Sequence, residues 1–281
     1  MRREVFQQLL HRRADSYKYD YGHVLVVGGS PGMVGAPLLV GRAALRVGAG
    51  LVSIASSTDV ADKLERRVEE VMTLALSLNP VEATETIRNF IKDRRASVLV
   101  AGPGLNKQSE ELVRNLVKSI NLPMVIDGGG LAALIDHLEI LKKSVSKNIV
   151  LTPHLGEFGR FFNKALPTKR EDLKPIAQKF AKDNQVMLVL KGQPTFVAHP
   201  DGKLYVNNTG GPGLATAGTG DVLSGMIGGI IAQGIEPKQA VEAAVYLHGL
   251  AGDIAAKEKT EPGLIASDVI EAIPHALKTV G

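Results

Sequence analysis

Residues 207–225 read NNTGGPGLATAGTGDVLSG: six glycines, four hydroxyl-bearing residues and one acid, Asp221, lead into a strongly apolar run. Leu223, Met226, Ile227, Ile230 and Ile231 follow helical spacing, so a helix starts near Asp221 and TAGTG is the turn before it. Backbone N–H groups at a helix start are free, and glycines let a ligand approach them closely, so this segment is suited to holding phosphate. Asp221 then adds negative charge where a phosphate would bind. It is either a helix cap, a use that stabilises by about 1 kcal/mol, or a general base. A base here would draw a proton from a hydroxyl as that oxygen attacks a phosphoryl group held by the same N–H groups.

The elements that must position this turn are short Val/Ile/Leu runs alternating with helical patterns, which predicts a mostly parallel sheet covered on both faces. The predicted strands are HVLVVGG, LVSIASS, SVLVAG, PMVID, NIVLTP, VMLVLKG, TFVAHP and KLYVNN. The last two are joined by PDG and read as a hairpin on the sheet edge. Predicted helices cover residues 36–50, 59–70, 81–94, 109–120, 130–143, 220–234, 237–259 and 266–280. Pro37 suits a first helical position and Gly48 a stop. The expectation is a single three-layer α/β/α domain spanning residues 1–281. Most Gly-rich or polar stretches follow a strand: Gly28–Gly35, Gly102–Gly104, Asp127–Gly130, TPHLGE, and Lys191 with Gly192. In a parallel sheet those ends share one rim, and ligands bind along it.

Other chemistries fail on the residues. The absence of cysteine excludes disulfides, thiolate nucleophiles and cysteine-ligated zinc. No Gly-Lys-Ser/Thr phosphate loop, zincin motif or nucleophile elbow occurs. GGGLAA at 128–133 fits only a permissive dinucleotide pattern, and the next strand does not end in the acid expected to hold a ribose. The formal charge of +4 makes no continuous basic stripe and aromatics are 4%, so nucleic acid is not expected as a partner. The N-terminus carries charges throughout and lacks a secretory core. VLSGMIGGIIAQGI is too short and glycine-rich to span a membrane. A soluble, cytoplasmic protein is expected.

AGTGD before an apolar helix resembles the anion-hole signature of the ribokinase-like superfamily. GHVLVVGGSPGMVGAPLLVGRAALRVGAGLV, VAGPGL, LTPHLGEFGRF, VLKGQPTFV and NNTGGPGLATAGTGDVLSGMIGG together resemble the NAD(P)H-hydrate dehydratase family, from about Tyr17 to near the C-terminus. The resemblance implies a ribokinase-like fold and repair of the (S)-hydrate of NADH or NADPH. It also implies ADP or ATP as phosphoryl donor, phosphorylation of the C6 hydroxyl, and elimination of phosphate.

Carried over position by position, the resemblance makes Asp221 the base and places the N–H groups of Ala217, Gly218, Thr219 and Gly220 around the transferring phosphate. It puts Lys191, Gly192, Gln193, Pro194, Thr195 and Gly220 on the nucleotide, and Ala36, Gly104, His154 and Asp221 on the hydrated nicotinamide. Glu157 corresponds to the superfamily's acid near Mg2+. Without the resemblance, Lys191 reads as a solvated strand-end lysine, His154 as a loop histidine and Glu157 as a helix-start glutamate. Two positions depart from the family: DGGGL keeps Asp127 but has Gly129 at the second acid, and Gly211 stands where Asn is common. The resemblance implies a homo-oligomer, a tetramer being favoured. The alternatives are a ribokinase-like kinase of a small hydroxylated molecule of the vitamin-precursor type, and a catalytically silent nucleotide-binding regulator.

Overall fold

The computed structural model describes residues 3–67, 69–162 and 165–281. Its sheet comprises β1 (His23–Val27), β2 (Leu51–Ser57), β3 (Met72–Leu76), β4 (Val98–Ala101), β5 (Met124–Ile126), β6 (Ile149–Leu151), β7 (Met187–Leu190), β8 (Thr195–Ala198) and β9 (Leu204–Asn207). The order is β3-β2-β1-β4-β5-β6-β7-β8-β9, parallel from β3 through β7. β8 and β9 add antiparallel at the edge, as the PDG turn predicts.

Along each strand, alternate side chains enter different cores because the strand period is two. Val24, Val26, Val98, Val100, Val125, Val150 and Val189 face one core, while Leu25, Leu99, Ile126, Leu151, Leu188 and Phe196 face the other. The first core is closed by α1 (Arg3–Leu10), α2 (Gly35–Arg46), α3 (Thr58–Glu65), α10 (Thr219–Ala232), α11 (Pro237–Lys259) and α12 (Ala266–Val280). The second is closed by α4 (Pro80–Arg94), α5 (Glu110–Ser119), α6 (Gly129–Ala132), α7 (Glu139–Lys142), α8 (Leu155–Gly159) and α9 (Leu173–Asn184). The three-layer expectation therefore holds.

Several local readings need correction. β3 was not expected; it is the edge strand, only half-buried along most of its length, and so lacks the continuous apolar run of its neighbours. The helix expected over 130–143 is interrupted between Ala132 and Glu139, where Asp136 takes a left-handed φ of 61° that no helix accommodates. The helix expected over 59–70 ends at Glu65, and residue 68 lies outside the described residues. α1, α8 and α9 carry no expectation from the sequence; α9 hides its apolar stripe behind Pro175, which sits in its first turn.

The glycines that interrupt the apolar run of α10 are packing devices. A Cβ on Gly225 would stand 2.2 Å from the Val40 carbonyl oxygen of α2, one on Gly228 would stand 2.7 Å from Val100, and one on Gly229 would stand 2.6 Å from Val47. α10 thus lies directly on α2 and on the sheet centre. No helix among the described residues is long and apolar enough to cross a membrane. In an open helix Gly→Ala gains about 1 kcal/mol. Gly225→Ala is expected to reverse that sign and lower stability by about 1–3 kcal/mol in urea unfolding, since the methyl group must push two backbones apart.

Candidate active site

The turn before α10 is built around Gly218, the N-cap residue, whose φ of 89° suits glycine. The Thr219 hydroxyl donates to the carbonyls of Leu214 at 2.8 Å and Thr216 at 3.0 Å, so it braces the turn and leaves the Thr219 N–H as that residue's contribution to a ligand. Below the turn, buried His248 donates from Nε2 to the Thr219 carbonyl at 2.9 Å. Burial pushes its pKa down to about 4, with the nearby Lys191 charge adding to the effect, so the imidazole is neutral at ordinary pH. The N–H groups that open α10 have no intrahelical partner, and their helix dipole favours an anion.

Asp221 lies three residues inside the cap position. Among the described residues α10 has no side-chain cap, so Asp221 lacks the hydrogen bond that the capping alternative requires. A cluster of charge surrounds it instead. Lys191, just beyond β7, donates from Nζ to Asp127 Oδ1 at 2.9 Å and lies 3.8 Å from Glu157 Oε2. Asp127, at the end of β5 and 3% exposed, also accepts from Ser224 Oγ of α10 at 2.8 Å. Burial works to lower the Lys191 pKa, but the carboxylates of Asp127, Glu157 and Asp221 outweigh it and hold the ammonium above its ordinary value. Burial, reinforced by the charge of Asp127, pushes Asp221 up to about 7 against the pull of Lys191. A carboxylate tuned there accepts a proton near neutral pH.

His154 and Glu157 form a reciprocal cap on α8. His154 Nδ1 accepts from the N–H groups of Gly156 and Glu157 at 3.0 and 3.3 Å, and Glu157 Oε2 accepts from the His154 N–H at 2.8 Å. Glu157 is therefore held in place beside Lys191.

His154, Lys191, Thr219 and His248 border a cleft of about 540 Å³, whose lining does not include Asp221, Asp127 or Glu157. Of the residues expected to bind nucleotide, Lys191, Gly192, Gln193, Thr195 and Gly220 line it; so do His154 and Thr219, while Pro194, Ala217 and Gly218 are not part of its lining. It is also lined by Asn207, Thr209, Leu214, Leu223, Val245 and His248, to which the sequence reading gave no binding role. Asn207, Thr209 and Leu214 sit in the NNTGGPGLA stretch; Leu223 and Val245 carry only apolar helix periodicity, and His248 is a lone histidine within a helix.

Ala36 and Gly104 meet elsewhere on the same rim. A Cβ on Gly104, whose φ is 68°, would stand 3.1 Å from the Ala36 Cβ. The Ser30 hydroxyl donates to the Gly104 carbonyl at 2.8 Å and the Gly29 N–H to the Pro103 carbonyl at 2.8 Å, locking the two loops together. These loops follow β1 and β4, the point where strand order reverses and where open α/β sheets bind ligands. His154 lies on the Lys191 side, apart from that pair. Gly129 adjoins Leu105: a Cβ there would stand 2.3 Å from the Leu105 carbonyl oxygen, so this backbone leaves no room for the second acid.

The family model described as NAD(P)H-hydrate dehydratase matches residues 24–275. The bifunctional NAD(P)H-hydrate repair enzyme Nnr of Moorella thermoacetica is 40% identical over 278 residues, 97% of this chain and 52% of the relative. The chain thus spans about half the length of that relative. The ADP/ATP-dependent NAD(P)H-hydrate dehydratase of Bacillus subtilis, co-crystallised with ATP and Mg2+, superposes with a TM-score of 0.82 at 30% identity, covering 100% of this chain and 98% of that one. A ribokinase-like superfamily protein of Enterococcus faecalis superposes with a TM-score of 0.83 at 27% identity, covering 100% and 95%. The glycine turn, the cluster around Lys191 and the rim loops thus lie within a match to almost the whole chain, which belongs to the NAD(P)H-hydrate dehydratase family.

Proposed function

We propose that this chain dehydrates the hydrates of NADH and NADPH, taking the phosphoryl group from ADP or ATP. The observation that carries the reading is Asp221, in the first turn of a glycine-led helix without a capping bond and pushed up to about 7 beside a half-buried lysine. The nucleotide occupies the cleft along Lys191, Gly192, Gln193, Pro194, Thr195 and Gly220, with its phosphates toward the start of α10. The hydrated ring lies toward Ala36, Gly104 and His154, and its C6 hydroxyl reaches Asp221.

Asp221 takes the hydroxyl proton as that oxygen attacks the terminal phosphorus. The N–H groups of Ala217, Gly218, Thr219 and Gly220 hold the phosphoryl oxygens, and the Lys191 ammonium offsets their charge. A hydroxyl is a poor leaving group and a phosphate a good one, so the ring nitrogen's lone pair expels phosphate from C6 to give an iminium, and loss of a proton from C5 then restores the dihydronicotinamide.

Among the described residues no three His, Cys, Asp or Glu side chains cluster as a metal cage. Mg2+ needs no such cage, taking one or two carboxylates and completing its shell with phosphate oxygens and water. Glu157 would hold it, and the ion would supply charge neutralisation at the phosphates. We read residues 1–281 as one domain acting in the cytoplasm, with a tetramer as the favoured assembly.

The first test is the absorbance of the dihydronicotinamide ring in reactions containing the hydrate, Mg2+ and either ADP or ATP. A rise with one nucleotide is expected; no rise with either, but transfer of phosphate to another small alcohol, would identify a kinase instead. Asp221→Asn is expected to keep nucleotide binding and lose turnover by orders of magnitude; near-normal turnover sinks the base assignment. In the wild type, kcat/KM is expected to fall about tenfold per pH unit below the Asp221 value of about 7. Stability runs the other way. A raised carboxylate contributes stability that is present below its ordinary range and lost as pH rises through about 7. Asp221→Asn cannot ionise there, so its Tm at about pH 8 should equal or exceed the wild type's.

A further inference from the structure

Arg170 lies in the turn that leads into α9, outside every stretch singled out above. Its Nη2 donates to the Leu190 carbonyl at 2.7 Å and its Nε to the Pro194 carbonyl at 2.9 Å. Leu190 ends β7 and Pro194 directly precedes β8, so one planar group bridges the two ends of the loop that carries Lys191, Gly192 and Gln193. Gly192 makes room for it. Its φ is 143°, and a Cβ there would stand 2.8 Å from the guanidinium carbon of Arg170. That carbon also lies 4.7 Å from the ring centre of Phe196, which is fully buried in β8.

We propose that Arg170 is a positioning residue for the nucleotide: its planar fork braces both ends of the Lys191–Thr195 loop and holds the loop against the cleft. The brace acts by shape. Lysine carries the same charge on a compact ammonium and cannot span two carbonyls as a rigid fork does. A loop ordered before binding spares the nucleotide the cost of ordering it, so the brace reads out in nucleotide KM. That consequence rests on the nucleotide reading above, whereas the brace itself is a property of the ligand-free protein.

Arg170→Ala and Arg170→Lys should be compared with the wild type in two measurements. NMR-detected amide exchange without ligand follows the Lys191 N–H, which donates to the Pro153 carbonyl at 2.9 Å. Both variants are expected to speed its exchange about tenfold while the amides of β1 and β4 keep their protection. In steady-state kinetics both are expected to raise nucleotide KM about tenfold with a smaller effect on kcat. Unchanged Lys191 exchange in Arg170→Ala overturns the brace. Wild-type behaviour of Arg170→Lys beside a defective Arg170→Ala assigns the effect to charge and overturns it too. Faster exchange with unchanged KM overturns the positioning role. Wild-type protein without nucleotide-dependent turnover would defeat the functional reading, and the exchange data would still decide the brace. Should the alanine variant fail to fold, the lysine variant carries both readouts.

Discussion

The site depends on one half-buried ammonium. Lys191 sits among the carboxylates of Asp127, Glu157 and Asp221, which arrive from the end of β5, the first turn of α8 and the first turn of α10. Three acids so close together would repel one another, and the lysine is what lets separate elements end at the same place. It also limits what it can offset. Burial, reinforced by the charge of Asp127, outweighs the pull of that single cation and leaves Asp221 with a raised pKa. The tuning of the proposed base therefore follows first from its burial and then from the acids gathered around the lysine.

Much of this arrangement was legible in the sequence because polar and glycine-rich residues directly after apolar strands mark the rim of a parallel sheet. Lys191 falls on that rim with Asp127 and Glu157 on this ground, its pairing with Gly220 comes from the family resemblance, and the edge hairpin was readable from PDG. Partnership across the chain was not legible. The Asp127–Lys191 and Asp127–Ser224 bonds join residues 64 and 97 positions apart, and nothing local marks them. Arg170 was invisible for the same reason: its partners are backbone carbonyls, which leave no trace in residue identity. β3 and the break at Asp136 were missed because edge exposure and a single left-handed residue each override periodicity.

The glycines of α10 look in the sequence like weak points of a helix and act in the fold as contact points. Those at 225, 228 and 229 bring α10 against α2 and the sheet, and Gly220 leaves room for Lys191, whose Nζ would lie 3.1 Å from a Cβ there. Backbone approach and access to the site are thus served by one helix from its start to its middle.

That helix arrives late in the chain. α2 and the centre of the sheet come from the first half, yet the element that covers them, α10, spans Thr219–Ala232. During synthesis from the N-terminus, the apolar faces of β1, β4 and α2 are made long before their cover leaves the ribosome. A nascent chain stalled before α10 exposes the middle of its largest core, and such surfaces recruit chaperones or aggregate. The phosphate-binding turn and the lid over that core appear in the same short stretch, so completion of the fold and assembly of the site become one event.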